Sequence, residues 1–276
     1  ETAYVRELVA RRRLAPPEER TRKHWPWPLR VRTLGRFEVV RDGAPLEVRG
    51  KAQKKPLELL KALVALGAEG VESSRLAALL WPDADGDAAK ASFDTTLYRL
   101  RKLLGLDTAL VLAEGKLSID RRQCWVDVWT FERVVREADG HAPAGDPPAG
   151  DPVDLGRALF DAYPGHFLAA EEDAPWAIDL RDRLRSKLAR TVLGLGERLQ
   201  ATGRWSEAVG LYERALELDN LAEGFYRGLM LCHRELGQPA AALQTYRRCR
   251  ELLSVVLGLA PSAETEAVRR SLDATG

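Results

Sequence analysis

The side chains best suited to bind another molecule lie on one predicted helix, residues 87–105. Four apolar residues recur there every three or four positions, which is the spacing of a buried helical face. They are Phe93, Leu97, Leu100 and Leu104. The opposite face carries Thr95, Arg99 and Lys102, flanked by Ser92, Thr96, Tyr98 and Arg101. Hydrogen-bond donors and positive charge on one face suit the major groove of duplex DNA, although a solvated helix with a basic outer face has the same pattern.

Each polar residue of this helix has a predicted role if the helix enters a major groove. Arg99 can donate two hydrogen bonds to O6 and N7 of guanine, and Thr95 or Thr96 can contact a base edge or a thymine methyl group. The other donors are expected to meet phosphates, which gives affinity and salt dependence with little specificity. They are Lys51, Lys54, Lys55, Lys90, Ser92, Arg101, Lys102 and Lys116. The alternative for Arg101 is an ion pair with Asp94, and that for Tyr98 is packing under the hairpin that follows.

The elements that must position this helix are a small sheet, two further helices and a hairpin. Residues 29–48 alternate in polarity, with a turn at Asp42-Gly43, and predict a small antiparallel sheet. Helices are predicted over 56–66 and 75–81, and a hairpin over 110–119. The helix over 87–105 is expected to begin at a cap formed by Asp85 or Asp87 and to end at Gly105.

This order of elements resembles the winged helix-turn-helix of the OmpR type. The residues that carry the resemblance are the run 93–102, Leu34-Gly35-Arg36-Phe37 in the sheet and Leu79-Leu80-Trp81-Pro82 after the second helix. The chain is similar to the subgroup in which such a head precedes a bacterial transcriptional activator domain, as in the antibiotic-regulatory activators. The hairpin departs from the pattern because it is short and Lys116 is its only obvious cation.

The resemblance implies a set of partners. They are double-stranded promoter DNA, bound by tandem copies at direct repeats, and RNA polymerase or another copy of the chain, bound through the helical domain. An upstream sensor or ATPase domain is also implied, because the chain opens with Glu1 and has Met230 as its only methionine, which indicates a part of a longer regulator.

The second half of the chain contains two blocks that repeat at 34 residues. Gly203 corresponds to Gly237, Ala208 to Ala242 and Tyr212 to Tyr246. This period is typical of tetratricopeptide repeats, in which glycine permits the tight turn and small residues let paired helices approach. Helices are predicted over 155–163, 176–199, 205–218, 223–236, 239–257 and 262–272.

The predicted fold is mainly α with a small antiparallel β component, a winged helix-turn-helix domain followed by an all-α tetratricopeptide-like domain. The predicted divisions are an upstream element and connector over 1–28, the winged helix over 29–122 and the helical-repeat domain over 123–276, with a mobile loop at 140–152. The distribution of charge supports this division. Residues 1–122 contain 24 Lys and Arg and 17 Asp and Glu, whereas residues 123–276 contain 18 Lys and Arg and 24 Asp and Glu. A basic first half favours a polyanionic partner.

The sequence contains no pattern that predicts an enzyme, a cofactor or a metal site. The nucleotide-binding, serine-hydrolase and zinc-protease motifs are missing, and the four histidines lie far apart. Asp83 to Asp94 have calcium-loop spacing, but Ala88 stands where that loop requires glycine. Three distant cysteines favour neither a disulfide framework nor a zinc site. Without an apolar run of membrane-spanning length or a signal peptide, the chain is expected to be soluble and cytoplasmic, with no membrane partner.

Two other functions remain open. One is a tetratricopeptide scaffold for protein contacts without DNA binding, although a scaffold has no need for Arg99 and Lys102 beside the lysines at 51–55. The other is a sensor that binds a small effector on the concave face of the repeats, through Arg181, Arg183 and Arg185.

Overall fold

The computed structural model describes residues 2–12, 14, 25–47, 53–140, 150–171 and 174–273. The chain divides into two compact units. The first contains Glu1–Trp129 and Phe167–Asp182, and the second contains Thr130–His166 and Arg183–Gly276. The first unit therefore includes 167–182, a segment that the contiguous division expected from sequence places in the helical-repeat domain. Lys51, Val48 and most of the expected loop at 140–152 lie outside the described residues.

The elements alternate between short strands and helices up to Val126 and are helical thereafter. They are α1 (Thr2–Arg12), β1 (Leu29–Arg32), β2 (Glu38–Arg41), β3 (Ala44–Pro45), α2 (Lys54–Ala65), β4 (Val71–Glu72), α3 (Ser73–Leu80), α4 (Gly86–Leu104), β5 (Leu110–Ala113), β6 (Lys116–Ile119), β7 (Cys124–Val126), α5 (Asp127–Ala138), α6 (Pro152–Ala162), α7 (Pro175–Ala201), α8 (Trp205–Leu218), α9 (Glu223–Glu235), α10 (Pro239–Leu252) and α11 (Ala263–Asp273).

The first sheet has the strand order β3-β2-β1-β7. β1 and β2 are antiparallel, with Leu29 opposite Arg41, and β2 turns into β3 through Asp42 and Gly43. Both turn residues have positive φ, 52° and 87°, which suits the right-handed twist of a tight hairpin. The antiparallel sheet predicted for 29–48 is therefore confirmed in β1, β2 and β3, and β7 adds a parallel strand beside β1 that was not predicted. Alternation within 29–48 carried no information about a strand almost a hundred residues later.

Helices α2, α3 and α4 pack together and form the core of the winged helix with a second sheet of order β4-β6-β5. The apolar stripe predicted for α4 is confirmed, since Phe93, Leu97 and Leu100 are buried. It meets buried leucines of α2 and α3, namely Leu59, Leu60, Leu63 and Leu76. β5 and β6 form the predicted wing, which turns at Glu114 and Gly115 with φ of 51° and 75°.

A buried carboxylate joins the end of β1 to the start of α5. Asp127 accepts hydrogen bonds from the backbone N–H of Thr33 (2.5 Å) and Leu34 (2.7 Å) and from the Thr33 hydroxyl (2.7 Å). It also accepts one from the N–H of Val128 (2.9 Å). Every one of these donors is buried, so the carboxylate satisfies polar groups that water does not reach.

The helical-repeat unit contains the two predicted tetratricopeptide-like blocks. Both inter-helix turns use a glycine with positive φ, 72° at Gly203 and 68° at Gly237. The N–H of Arg204 donates to Leu199 O at 2.9 Å, and the N–H of Gln238 donates to His233 O at 2.8 Å. These two bonds are 34 residues apart and close the same helix-ending turn, so the repeat is structural as well as sequential.

One predicted helix differs from the structure at its end. The continuous helix expected over 239–257 stops at Leu252, and a single π-helical turn, Leu253–Leu257, follows it. Gly258 then ends the turn with φ of 66°. Apolar periodicity continued across this point, so the wider turn had no signature in the sequence.

In the part of the chain that the structure describes, no helix combines the length and apolar character needed to cross a membrane.

Candidate nucleic-acid interface

Helix α4 is fixed at both of its ends. At the start, the side chain of Asp85 accepts a hydrogen bond from the N–H of Ala88 at 2.8 Å, which confirms one of the two expected caps. At the end, Gly105 adopts φ of 66° and its N–H bonds to Arg101 O. Arg41 of β2 reaches the same end, with Nη1 3.4 Å from Leu104 O. Such end contacts limit fraying of the helix and hold its outer face in one orientation.

The outer face of α4 is exposed, and its central side chains make no hydrogen bonds or ion pairs within the described residues. Thr95, Arg99 and Lys102 are all exposed. Among the described residues, none forms a hydrogen bond or ion pair with these three side chains. Their donors are therefore available to a ligand, and the face combines a hydroxyl, a planar guanidinium and an ammonium group within about two helical turns.

Thr96, which the sequence predicted to read a base, does not lie on this face, because the structure buries its side chain. Its side chain is 6% exposed. Thr96 lies three positions after Phe93 and four before Leu100, so it falls within the buried stripe of the helix. Thr95, one position earlier, points about 100° away and is exposed.

Arg101 lies beside the outer face and contacts the protein itself. Its Nη2 donates to Leu110 O in β5 at 3.0 Å, and the side chain is partly buried. This contact ties α4 to the wing. No ion pair between Arg101 and Asp94 occurs among the described residues, and the phosphate contact of Arg101 stays a prediction. Tyr98 is 67% exposed and so is not packed under the hairpin.

The predicted lysines divide into free and paired groups. Lys54 and Lys90 are exposed and Ser92 is partly exposed. Lys55 forms an ion pair with Glu58 at 3.1 Å and lies 5.2 Å from the centre of the Trp81 ring. Lys116 in the wing lies 3.6 Å from Glu72, which leaves its charge largely balanced.

A concavity beside α4 brings together cations that are distant in sequence. It has a volume of about 740 Å³ and lies between the β2–β3 hairpin, the start of α2 and the second half of α4. Arg41, Arg99 and Lys102 line it together with Gln53 and Glu47. Sequence patterns missed Arg41, because only the fold places the end of β2 next to α4. Three cations around an open cleft suit a phosphate group.

Two of the three arginines considered for an effector site, Arg181 and Arg185, form hydrogen bonds with other groups of the protein. Arg181 donates to Phe167 O (2.9 Å) and Leu168 O (3.0 Å). Arg185 forms two hydrogen bonds with Asp219, of 2.6 and 2.7 Å. Only Arg183 has no such contact within the described residues. The three therefore do not form a common site for a small anion.

The three cysteines are buried, and the described ranges contain no metal-binding cluster. Burial raises the pKa of the Cys249 thiol to about 12, and burial also raises the pKa values of Cys124 and Cys232. A thiol with so high a pKa is protonated at neutral pH and is a poor nucleophile. Over the same ranges, no group of three His, Cys, Asp or Glu side chains is placed to hold a metal ion.

A winged helix with an exposed, basic outer face on α4, followed by stacked helical repeats, is the architecture of a class of transcription regulators. The model of the bacterial transcriptional activator domain family matches residues 126–272. Since that match covers just over half of the chain, the protein belongs to this family.

Two relatives extend the comparison beyond the matched domain. The chain is 29% identical over 247 residues to the regulatory protein AfsR of Streptomyces griseus, an alignment that covers 88% of this chain and 24% of AfsR. The chain thus spans about a quarter of the length of that relative. The solved structure of Mycobacterium tuberculosis EmbR, in complex with a low affinity phosphopeptide, has the same fold with a TM-score of 0.64 and 20% identity. That match covers 90% of this chain and 65% of the EmbR chain.

Proposed function

We propose that the protein is a sequence-specific DNA-binding transcription regulator, and specifically an activator of the promoters it binds. The observation that carries the proposal is the outer face of α4, where Thr95, Arg99 and Lys102 are exposed and have no partner in the described chain. No acidic side chain among the described residues pairs with Arg99 or Lys102, so both positive charges are available to a polyanion.

The proposal includes two kinds of contact with DNA. Arg99 and Thr95 reach base edges, and Arg99 donates both hydrogen bonds to one guanine. Lys54, Lys90 and Lys102 meet phosphates, and Arg41 joins Lys102 at a phosphate that enters the concavity beside α4. The wing contributes little charge, because Lys116 is already close to Glu72.

The helical-repeat unit contacts RNA polymerase or another copy of the chain. Support comes from membership in the activator-domain family and from the stacked repeats, an architecture that presents extended surfaces to other proteins. An activator of promoter DNA works in the bacterial cytoplasm, where that DNA is. AfsR is about four times longer than the region matched, which supports the proposal that a sensor or ATPase domain controls these two units.

Selection from a pool of random duplex DNA tests the proposal. The wild-type chain should enrich one motif that contains guanine, and Arg99→Ala should lose the preference at one position of it. Arg157→Ala removes an exposed arginine on α6 that pairs with Asp154; it is the matched control and should enrich the wild-type motif. If the wild-type chain enriches no motif even at low salt, the proposal is wrong.

A further inference from the structure

The helical-repeat unit contains a small cavity between three of its helices. Helix α9 packs against both α8 and α10, and a cavity of about 310 Å³ is lined by residues of all three. Glu213, Leu216 and Glu217 are three and four positions apart, so they share one face of α8. Thr245 and Arg248 share a face of α10 in the same way. The cavity therefore lies entirely within this unit and follows from the packing of its helices.

The part of the cavity lined by Leu216, Leu229 and Tyr226 is its apolar floor. These three residues are buried. The hydroxyl of Tyr226 donates to Asn220 O at 2.9 Å, so its polar end already has a partner. Burial raises the pKa of Tyr226, and the positive charge of Arg248 opposes this shift, which indicates that the guanidinium lies near the phenol. A ligand in this cavity thus meets an apolar floor with a cation beside it.

The two walls of the cavity carry opposite charges that do not pair with each other. Among the described residues, Glu213 on α8 and Arg248 on α10 form no hydrogen bond or ion pair. Glu217 contacts Arg214 of its own helix, so its charge is already balanced. Opposite charges on two walls that do not reach each other are both satisfied by a ligand that carries both signs.

We propose that this cavity binds a free α-amino acid with an apolar side chain. The carboxylate of the ligand pairs with the guanidinium of Arg248, its ammonium group pairs with the carboxylate of Glu213, and its side chain covers the apolar floor. The volume of about 310 Å³ lies at the lower end of the range for ligand pockets, about 300–1,000 Å³, and so suits a molecule smaller than a typical drug. The site goes beyond the proposed function and does not depend on DNA binding by α4.

Isothermal titration calorimetry of the whole chain with the common L-amino acids tests the site. At least one apolar amino acid should bind. Glu213→Gln and Arg248→Gln should each weaken its binding by about tenfold or more, because each removes a charge-assisted hydrogen bond. The matched controls are Glu251→Gln and Arg247→Gln, at exposed positions of α10 outside the cavity lining, and they should bind as the wild type does. A chain that binds no amino acid at millimolar concentration, or cavity variants that bind normally, would overturn the proposal.

Derivatives of the bound amino acid test which charge meets which wall. The N-acetyl form lacks the ammonium group, so the wild type should bind it about tenfold more weakly or worse, and Glu213→Gln should add no further loss. The amide form lacks the carboxylate and should behave in the same way with Arg248→Gln. Losses that add together in both cases would also overturn the proposal. Duplex binding is measured on the same proteins: a chain that binds the amino acid but no duplex contradicts the proposed DNA-binding function and supports this site.

Discussion

The ring of Tyr212 lies against Gly196, with no room for even a methyl group between them. A Cβ on Gly196 would overlap the phenol of Tyr212, and a Cβ on Gly228 would overlap the same ring from its other edge. Tyr212 is 1% exposed, and its hydroxyl accepts a hydrogen bond from Gln200 Nε2 at 3.2 Å. The two glycines therefore let α7 and α9 pack closely against one aromatic side chain of α8.

Gly196→Ala should destabilise the helical-repeat unit. The buried ring cannot move aside, because Gly228 adjoins its other edge, so the added methyl group over-packs the core at a cost of about 1–3 kcal/mol. Chemical denaturation followed by circular dichroism measures this cost. Gly194→Ala, two positions away on the same helix with open space at its Cβ, is the control and should stabilise by about 0.5–1 kcal/mol. Equal effects of the two changes would contradict this packing.

Asp127→Asn should destabilise the winged-helix unit. Each carboxylate oxygen of Asp127 accepts hydrogen bonds from two buried donors, and an amide would direct its own N–H groups at one of these pairs. Leaving buried donors unsatisfied costs about 1–3 kcal/mol. The free energy of unfolding should fall by this amount, whereas Asp179→Asn, at an exposed position of α7, should leave it unchanged. Unchanged stability of Asp127→Asn would show that the network contributes little.

Much of the winged helix was predictable because its signals are local. The apolar stripe of α4, the Asp85 cap and Gly105 all act within a few residues of one another. Arg41 and β7 were not predictable, because each acquires its role through contacts with a distant segment, α4 in one case and β1 in the other. In the second half, the 34-residue spacing identified the repeats. The π turn after Leu252 was not predictable, because the apolar spacing of the sequence continues through it unchanged.

The apolar periodicity of α4 did not tell which of Thr95 and Thr96 is exposed, because both lie near the border between the buried and the exposed face. Both are β-branched and polar, and their separation of about 100° places one in solvent and the other in the core. Thr95→Val should therefore change base preference at one operator position, by about 0.5–1.5 kcal/mol, because it removes one hydrogen-bonding hydroxyl. Thr96→Val should leave base preference unchanged. Selection experiments with both variants measure this difference, and a larger change for Thr96→Val would contradict the orientation of α4.

Lys102→Ala should weaken binding to all duplexes alike. An ammonium group that meets a phosphate releases about one counterion, so the slope of log affinity against log salt concentration should decrease by about 1. Fluorescence anisotropy with operator and unrelated duplexes over a salt series measures both effects. Arg157→Ala should leave the slope unchanged. Loss of affinity for the operator alone would instead make Lys102 a base-reading residue.

Exchanging one ring atom of a DNA base tests whether Arg99 reads a guanine. Replacing each guanine of the selected operator with 7-deazaguanine removes the N7 acceptor and leaves base pairing intact. At one position the wild-type chain should lose about 1–3 kcal/mol of binding free energy, and Arg99→Ala should lose nothing further there, because the two changes remove the same hydrogen bond. If Arg99→Ala and the wild type respond equally at every guanine, Arg99 does not read the base and this account of α4 is contradicted.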